Sequence, residues 1–527
     1  MEYMTGKLGE LMLLAIVLLA LHVKAEETED SGVCPRGCSC PETELVECQN
    51  LSQIPNFTNK EFLKSLSFND HNITELKKGD FNDFTHLEQL YVNGGMLSTI
   101  AAGTFEAVSE TIQLINLRSN IIAELEPYVF FNLSNIDKIV LNANHLISLK
   151  ANSFVNMSKL TTLDILGNNL QSVDKEAFIG LPELENLNLF NNHLKQIPFE
   201  SLTGLTALKV MTLTRNEITT VPELAKAFLP ALEDIYLDSN PISEIAVFPN
   251  ISGSLKRIEL EFTDISTTTK ETWKYLSQID QLNIGGTKFS VITAGTFEGL
   301  PNLKRLMLRD MPHLTFVGPD AFHGIKDLTT IDLADCKQLH TIDETAFMST
   351  KVTSFFLKGS GVTYIPRHLL KWSTMKTVSI EGNPINCDCK VDWMLDKAIF
   401  GNNTGVKNSF NKLVCATPKV HFGKNVTSLH SINLTCKSYE DDHASRFATG
   451  IIIAVICFVF MTTIALIMKF RQKIMISCRR YYQYRRYKND LVFTVEHDTS
   501  IAELEDTDGP EGRPLKDMRL ETVSIET

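Results

Sequence analysis

A repeated pattern in the middle of the chain restricts its fold more than any other feature. Six successive segments, INLRSNII, IVLNANHL, LDILGNNL, LNLFNNHL, MTLTRNEI and IYLDSNPI, fit the pattern LxxLxLxxNxL. Aligned on its first position, the pattern recurs every 23 to 25 residues, starting at Leu63, Leu87, Ile112, Ile136, Leu160, Leu184, Leu208, Leu232, Leu255, Ile279, Leu303, Leu328, Val352 and Met375. One turn has no partner for its apolar face until another stacks on it, so the chain is predicted to be an array of fourteen turns.

The spacing of apolar residues within a turn predicts its local structure. Positions 4 and 6 are apolar and have polar neighbours, which is typical of a short strand whose leucines face inward. A buried leucine contributes roughly 1.5 to 3 kcal/mol, so neighbouring turns stabilise each other. Positions 2, 3, 5, 7 and 8 then face outward and form a concave parallel sheet on the order of 65 Å along its arc.

Position 9 of the pattern is asparagine in half of the turns. A buried amide at this place can bond to backbone groups at the strand end that would otherwise be unsatisfied. The asparagines are Asn120, Asn144, Asn168, Asn192, Asn216, Asn240 and Asn383. The other turns have His71, Gly95, Thr263, Thr287, Met311, Cys336 and Ser360. Thr, Ser and Cys can partly substitute for the amide, whereas local irregularity is expected at Gly95 and Met311.

The repeat resembles that of the extracellular leucine-rich-repeat family over residues 63–385. The resemblance implies an α/β leucine-rich-repeat solenoid, a horseshoe with a curved parallel β-sheet of about 14 repeats. It also implies that phenylalanines of the return segments stack along the back of the solenoid, here Phe81, Phe105, Phe130, Phe154, Phe178, Phe297, Phe322 and Phe347. The alternative, an exposed aromatic stripe for ligand binding, is disfavoured by their fixed place in the repeat.

The cysteines fall into three sets. Cys34, Cys38, Cys40 and Cys48 precede the repeats, Cys387, Cys389, Cys415 and Cys436 follow them, and Cys336, Cys457 and Cys478 stand alone. In an exported chain, four cysteines at each open end of an array indicate disulfide caps, since zinc and redox sites belong mainly to reducing compartments. Each set of four allows three pairings. The family resemblance implies Cys34 with Cys40, Cys38 with Cys48, Cys387 with Cys415, and Cys389 with Cys436.

The single cysteines have different expected roles. Cys336 occupies position 9 of its turn and is expected to be a buried free thiol. Cys457 lies in the apolar segment 448–468. Cys478 follows that segment in a basic setting suited to reversible palmitoylation, and an inert cysteine is an equally good interpretation.

Two apolar segments predict export and membrane anchoring. Residues 11–23 have the length of a signal-peptide core, and Val23-Lys24-Ala25 fits a cleavage site. Residues 448–468 carry no charge and are followed by a basic stretch, which predicts a single-pass type I plasma-membrane protein with a cytoplasmic C-terminus. All nine N-x-S/T sequons lie on the proposed outer side: Asn50, Asn56, Asn72, Asn132, Asn156, Asn250, Asn402, Asn425 and Asn433.

These features divide the chain into seven parts. The predicted signal peptide covers residues 1–25, the N-terminal cysteine-rich cap 26–62, the repeats 63–385 and the C-terminal cysteine-rich cap 386–437. A juxtamembrane linker, 438–447, is followed by the transmembrane helix, 448–468, and by a disordered cytoplasmic tail, 469–527.

The chemistry expected of the chain is recognition. No phosphate-binding loop, spaced histidine cluster or nucleophile motif is present, so an enzyme, a cofactor site and a metal site are not predicted. The formal net charge of −13 disfavours nucleic acid as a general partner. The remaining partner class is an extracellular protein, and homo- or hetero-oligomers at the cell surface are compatible with the fold.

Aromatic and arginine side chains at outward strand positions are the candidate ligand contacts, because these types are enriched among binding hot spots. They are Phe190, Arg215, Asp234, Tyr236, Arg257, Phe262 and Arg305, although any one of them is as well explained by a solvated strand face. We expect a receptor or adhesion protein. The alternative is a pattern-recognition receptor or co-receptor for microbial ligands that signals through a partner chain, similar to Toll-like ectodomains without their intracellular signalling domain.

Overall fold

The structure, a computed structural model, describes residues 34–58, 60–221, 228–245, 253–430 and 434 of the chain, and seven positions further on. Those seven, each helical, are Ile464, Met468, Lys469, Arg471, Ile474, Met475 and Arg479. By internal contacts the chain divides into two units, residues 1–436 and 437–527. Among the described residues, no helix combines the length and the apolar character needed to cross a bilayer. The predicted signal peptide and most of the predicted membrane segment lie outside the described residues.

One long sheet dominates the first unit. Within the described residues it has sixteen strands, of which the first two form an antiparallel pair and the rest are parallel. Fourteen strands come one from each repeat, in register from turn to turn, so the predicted solenoid is confirmed. The strands are Cys38–Glu42, Leu45–Gln49, Ser65–Asn69, Gln89–Asn93, Leu114–Asn116, Lys138–Val140, Thr162–Asp164, Asn186–Asn188, Val210–Thr212, Asp234–Tyr236, Arg257–Glu259, Gln281–Asn283, Arg305–Met307, Thr330–Asp332, Ser354–Phe356 and Thr377–Ser379.

The described parts of the return segments correct the α/β assignment, because they contain turns, two-residue strands, short 3-10 helices and one four-residue α-helix, Lys270–Trp273, rather than long α-helices. A turn of 23 to 25 residues that already holds a strand and two corners leaves too few residues for a helix of several turns. Paired strands of the returns are Glu75–Leu76 with Thr99–Ile100, Phe130–Phe131 with Phe154–Val155, Ser148–Leu149 with Ser172–Val173, and Val291–Ile292, Phe316–Val317 and Thr341–Ile342 in one sheet. The fold is therefore a β-solenoid.

The described helices are few and short. Two are α-helical, Lys270–Trp273 and Thr404–Phe410. The 3-10 helices are Lys60–Phe62, Glu106–Val108, Phe199–Leu202, Trp372–Thr374, Cys389–Leu395, Lys397–Phe400 and Val426–Ser428.

Buried asparagines join consecutive turns, as their position in the pattern predicts. The side-chain amide of Asn168 donates to the backbone oxygens of Leu141, at 3.0 Å, and Ile165, at 3.2 Å. Its oxygen accepts from the backbone nitrogen of Leu146 at 3.1 Å. One side chain thus satisfies three backbone groups on two turns, and the other asparagines of the central turns repeat the arrangement.

The turns without asparagine use other solutions at position 9. Ser360 Oγ donates to the Leu333 oxygen and accepts from the backbone nitrogen of Cys336, whose thiol donates to the Leu308 oxygen at 3.0 Å. The predicted irregularity at Gly95 and Met311 does not interrupt the main sheet. Instead, the His71 ring fills the place that a Gly95 side chain would need, and the Met311 sulfur accepts from Thr287 Oγ1.

The phenylalanines of the returns are buried and stack from turn to turn, which excludes the exposed aromatic stripe for these positions. The ring centroids of Phe105, Phe130 and Phe154 are separated by 5.6 Å and 5.5 Å. Tryptophans extend the stack where the sequence lacks a phenylalanine: Trp273 packs on Phe297 with ring centroids 6.4 Å apart. Stacked aromatic rings therefore form the core on the return side of the solenoid.

Disulfides are present at both ends of the array. Cys34 bonds to Cys40, Cys38 to Cys48, and Cys387 to Cys415, which are pairs that the family resemblance implies. Cys389 is also disulfide-bonded, and its expected partner Cys436 lies outside the described residues.

The segment NPINCDCKVDW closes the last turn. Its strand Ile385–Asn386 pairs with Cys415–Thr417, and the 3-10 helix Cys389–Leu395 follows. Trp393 stacks on Trp372 with ring centroids 5.7 Å apart and donates its indole N–H to the Ile365 oxygen at 3.2 Å. The segment therefore covers the apolar end of the solenoid core.

Candidate binding surface

The outward side chains of the main sheet form one continuous surface, called the sheet face below. It is built by strand pairing in register, which places equivalent positions of neighbouring turns side by side. Asp234 pairs with Arg257, Arg257 with Gln281, and Gln281 with Arg305. The predicted contact residues therefore lie in rows across the strands rather than scattered over the molecule.

Three of the predicted contact residues form one cluster. Arg257 Nη1 donates to Tyr236 Oη at 2.8 Å and lies 3.6 Å from Asp234 Oδ2. The three side chains are partly buried against the sheet, so the guanidinium and the phenol are held in fixed positions. A preorganised arginine and tyrosine lose less side-chain entropy when a partner binds than mobile ones do.

The other predicted contact residues lie beside this cluster. The Arg215 guanidinium carbon is 5.6 Å from the centroid of the Phe190 ring, a cation–π contact between neighbouring turns. Arg305 is exposed and is separated from Arg257 by the strand of Gln281. Phe262 is 55% exposed and lies at position 8 of the turn that contains Arg257.

Position 8 has a structural property that the sequence pattern did not reveal. In all fourteen described turns this residue has a positive φ, as in Asp70, Gly94, Asn191 and Gly382. Glycine, asparagine and aspartate tolerate that conformation, whereas bulky side chains rarely adopt it. The frequent Gly, Asn and Asp at this position were the signal that could have identified it.

Phe262 and Arg215 are the bulky side chains at this position, and Phe262 is the apolar one. Its φ is 55°, it is exposed, and its ring lies over Gly286, where a Cβ would be 2.3 Å from a ring carbon. A large apolar side chain in a left-handed backbone conformation costs free energy, and exposure gives little in return. Strained, exposed residues of this kind are concentrated at binding sites.

A group of carboxylates on the same face was not among the predicted contacts. Burial raises the pKa of Asp238, Glu259 and Glu261, which come from two neighbouring turns. Thr214 Oγ1 donates to Asp238 at 3.1 Å, and Asn283 Nδ2 donates to Glu261 at 3.3 Å. These hydrogen bonds hold the carboxylates in place. The carboxylates add negative charge to the sheet face beside Arg257.

Ion pairs at position 2 link the turns along one edge of the sheet face. Lys209 pairs with Glu185 at 2.6 Å, and Lys256 pairs with Glu233 at 2.9 Å. These side chains are about half exposed, so each pair contributes little to stability. The opposite charges of these pairs balance each other along the edge. The clustered arginine, tyrosine and carboxylate side chains lie at the centre of the sheet face.

The sequons are distributed away from the sheet face. Asn50, Asn56, Asn72, Asn132, Asn156, Asn402 and Asn425 are exposed, and none of these seven belongs to a repeat strand of the main sheet. The predicted sequons Asn250 and Asn433 and the predicted palmitoylation site Cys478 lie outside the described residues. Glycans at the seven described sites would leave the sheet face open.

The described residues contain no group of three or more His, Cys, Asp or Glu side chains arranged to hold a metal ion. Cys336 is the free cysteine of that part of the chain, and burial raises the pKa of its thiol to about 12. A thiol with such a pKa is a poor nucleophile at neutral pH.

Comparison with known proteins agrees with the solenoid. The family model "Leucine rich repeat" matches residues 110–170, 134–194, 186–242 and 277–337. Leucine-rich repeat-containing protein 3 of Danio rerio is 28% identical over 114 residues, 21% of this chain and 40% of its own length. Tsukushi of Gallus gallus is 28% identical over 108 residues, 20% of this chain and 29% of its own length. The chain thus spans less than half of either curated relative.

A solved structure has the same fold over a larger share of the chain. The Toll–Spatzle complex of Drosophila, described as a hub in development and innate immunity, matches with a TM-score of 0.55 and 18% identity. The match covers 74% of this chain and 54% of that one. At this identity the similarity concerns the fold.

Proposed function

We propose that the chain, whose repeats match the leucine-rich-repeat family model, is a cell-surface receptor or adhesion protein that binds an extracellular protein through the sheet face. Its repeats form a scaffold for protein interaction, and the Toll–Spatzle complex is an example of a relative in fold that has a protein partner. The proposal includes export, a single membrane span at residues 448–468 and a cytoplasmic C-terminus, in agreement with the charge pattern and the sequons.

The single observation that carries this proposal is Phe262. An exposed phenylalanine in a left-handed backbone conformation has no stabilising role that the local packing explains, whereas it would be a strong contact for a partner. It lies at the sheet face five residues after Arg257 in the same turn, and Arg257 is bonded to Tyr236 of the preceding turn. Aromatic and arginine anchors beside a fixed acidic group fit a protein partner of mixed charge.

The sheet face is large enough for such a partner. Stable protein interfaces bury about 800 Å² on each side, and fourteen strands at about 4.8 Å spacing extend over roughly 65 Å. The net charge of −13 opposes a polyanionic partner such as nucleic acid. An extracellular protein is the partner class that agrees with both the size and the charge.

A binding screen with cells that display this protein on their surface tests the proposal. Cells that display the full chain are incubated with a collection of extracellular proteins, microbial polymers and other cells. Capture of a protein that Phe262→Ser weakens at least tenfold at equal surface display supports the proposed function. Capture of microbial polymers alone would replace it with the microbial-recognition alternative, and capture that Phe262→Ser leaves unchanged would contradict the proposed surface.

A further inference from the structure

The return side of the solenoid has an exposed apolar strip that the proposed function does not use. Residues 128–132, 152–156 and 176–180 are equivalent segments of three consecutive turns. They are joined by the strand pair Phe130–Phe131 with Phe154–Val155 and by a hydrogen bond from the Asn156 nitrogen to the Ile179 oxygen at 3.3 Å. In each segment one phenylalanine points into the core, and the next residue points outward.

The outward residues are Phe131, Val155 and Ile179. Phe131 and Ile179 are 41% and 45% exposed, and Val155, in register between them, is 7% exposed. Tyr128 extends the strip, with its ring centroid 5.6 Å from that of Phe131 in an edge-to-face arrangement. Tyr128, Phe131 and Ile179 thus expose apolar surface around the buried Val155, and clustered exposed apolar surface is a sign of a covering group.

A sequon follows the outward residue in two of the three turns. Asn132 comes directly after Phe131, and Asn156 directly after Val155; both are exposed, with φ of 54° and 55°. The third turn has Gly180 at this position, where a Cβ would lie 2.9 Å from Asn156 Oδ1. The Asn156 amide therefore extends toward the next turn, over a residue that has no side chain.

At two other sequons the exposed apolar side chain is a register neighbour of the asparagine rather than the residue before it. Met96 occupies the same position as Asn72 in the next turn, is exposed, and donates its backbone N–H to the His71 oxygen at 3.2 Å. Val414 is exposed and is bridged to Asn425. In both cases an exposed large apolar side chain is the register neighbour of a sequon asparagine.

Register neighbours in a sheet are about 4.8 Å apart, so the first sugar on one asparagine amide reaches the side chain of the neighbouring segment. A pyranose ring has an apolar C–H face, which packs on aliphatic groups and on the electron-rich face of an aromatic ring. A second protein is a poorer occupant here, because a glycan on Asn132 would stand directly beside Phe131 and obstruct a flat approach.

We propose that the first sugars of N-linked glycans on Asn72, Asn132, Asn156 and Asn425 pack on these exposed apolar side chains. The glycans at these four sites are then structural parts of the solenoid. Asn402 is a matched control, because none of the exposed large apolar side chains in the described ranges is its neighbour in sequence or in register. This inference rests on the export that the proposed function includes.

The test uses the full chain purified from a glycosylating eukaryotic cell, with site occupancy measured by mass spectrometry. Asn132→Asp, which removes the sequon and keeps a residue type that tolerates the left-handed backbone, is expected to lower the Tm by about 2–4 °C, and Asn402→Asp by less than about 1 °C. In a Phe131→Ser background, Asn132→Asp is expected to have no further effect, since the sugar has lost its contact.

Enzymatic trimming tests the same contact without substitutions. An endoglycosidase that leaves one sugar on each asparagine is expected to preserve the Tm, and an amidase that removes the whole glycan is expected to lower it. Occupied sites at which removal of the whole glycan leaves the Tm unchanged would overturn the inference, as would additive effects of Asn132→Asp and Phe131→Ser. Lack of glycan at every sequon, Asn402 included, would instead overturn the export on which it rests.

Discussion

Arg257 donates a hydrogen bond to Tyr236 across two neighbouring strands of the main sheet, with the two atoms 2.8 Å apart. The same guanidinium lies 3.6 Å from Asp234, so one arginine links two side chains of the preceding turn. Asp234 and Arg257 occupy the same position of consecutive repeats, and Tyr236 lies two residues after Asp234, so the repeat register itself positions the cluster. We therefore expect the cluster to act as a unit.

Replacing both Tyr236 and Arg257 with alanine is expected to weaken ligand capture at least tenfold, because both anchors of the sheet face are removed. The measurement is binding of the captured protein to cells that display each variant at equal density. The matched control is Lys175→Ala with Glu176→Ala, two exposed residues of a return segment. Equal losses from both pairs would show that the ligand does not use the sheet face.

Removing one buried asparagine is expected to destabilise the solenoid strongly. Asn168→Ala leaves backbone groups of Leu141, Ile165 and Leu146 without their partner, which costs roughly 2–4 kcal/mol. Denaturant unfolding of the purified chain measures the change. Asn186→Ala, at a partly exposed outward position, is the control and is expected to cost less than about 1 kcal/mol. Similar losses at both positions would contradict the role of the amide.

Most of the solenoid could be predicted from the sequence because its core residues recur at fixed spacing. The strands, the asparagines and the buried phenylalanines all follow from one pattern. What escaped prediction depends on single residues or on backbone geometry. Trp273 continues the aromatic stack although it breaks the phenylalanine pattern, and the left-handed conformation at position 8 was not visible until the backbone was seen.

The candidate site was predicted only in part, for a physical reason. Periodicity identifies which side chains point outward, and this placed Asp234, Tyr236 and Arg257 on one surface. It does not identify which outward carboxylates are desolvated by their neighbours, as Asp238 and Glu259 are. That property depends on contacts between turns, which differ from one repeat to the next.

The Cys336 thiol is expected to be unreactive in the native protein. Burial raises its pKa to about 12, so almost none of it is thiolate at pH 8. Labelling with a maleimide followed by peptide mapping should leave the Cys336 peptide unmodified until denaturant is added. Rapid modification of this peptide in the folded chain would show that the turn opens locally.

The half-buried carboxylates predict an unusual dependence of stability on pH. The folded-state pKa of Glu259 is raised by burial, so its contribution is fully present below the unfolded pKa of about 4.3 and is lost as the pH rises through the folded pKa. Glu259→Gln is therefore expected to have a higher Tm than the wild type at pH 7.5.

The difference between Glu259→Gln and the wild type should become small near pH 4, where the carboxyl group of the wild type is protonated. Thermal unfolding at the two pH values measures it. Glu185→Gln at the edge of the sheet face is a suitable comparison, since Glu185 is paired with Lys209 and is exposed to solvent. A Glu259→Gln variant that is less stable than the wild type at pH 7.5 would contradict the desolvation.

The most direct test of the central claim is to block the sheet face with a new glycan. Gln281→Asn combined with Asn283→Thr creates a sequon at two outward positions of one strand, beside Arg257. Wild-type cells, in which the seven described sequons lie off the repeat strands of the main sheet, are the control. With occupancy and surface display verified, we predict that cells carrying this variant lose capture of the protein ligand. Undiminished capture by the glycosylated variant would contradict the claim that the sheet face is the binding surface.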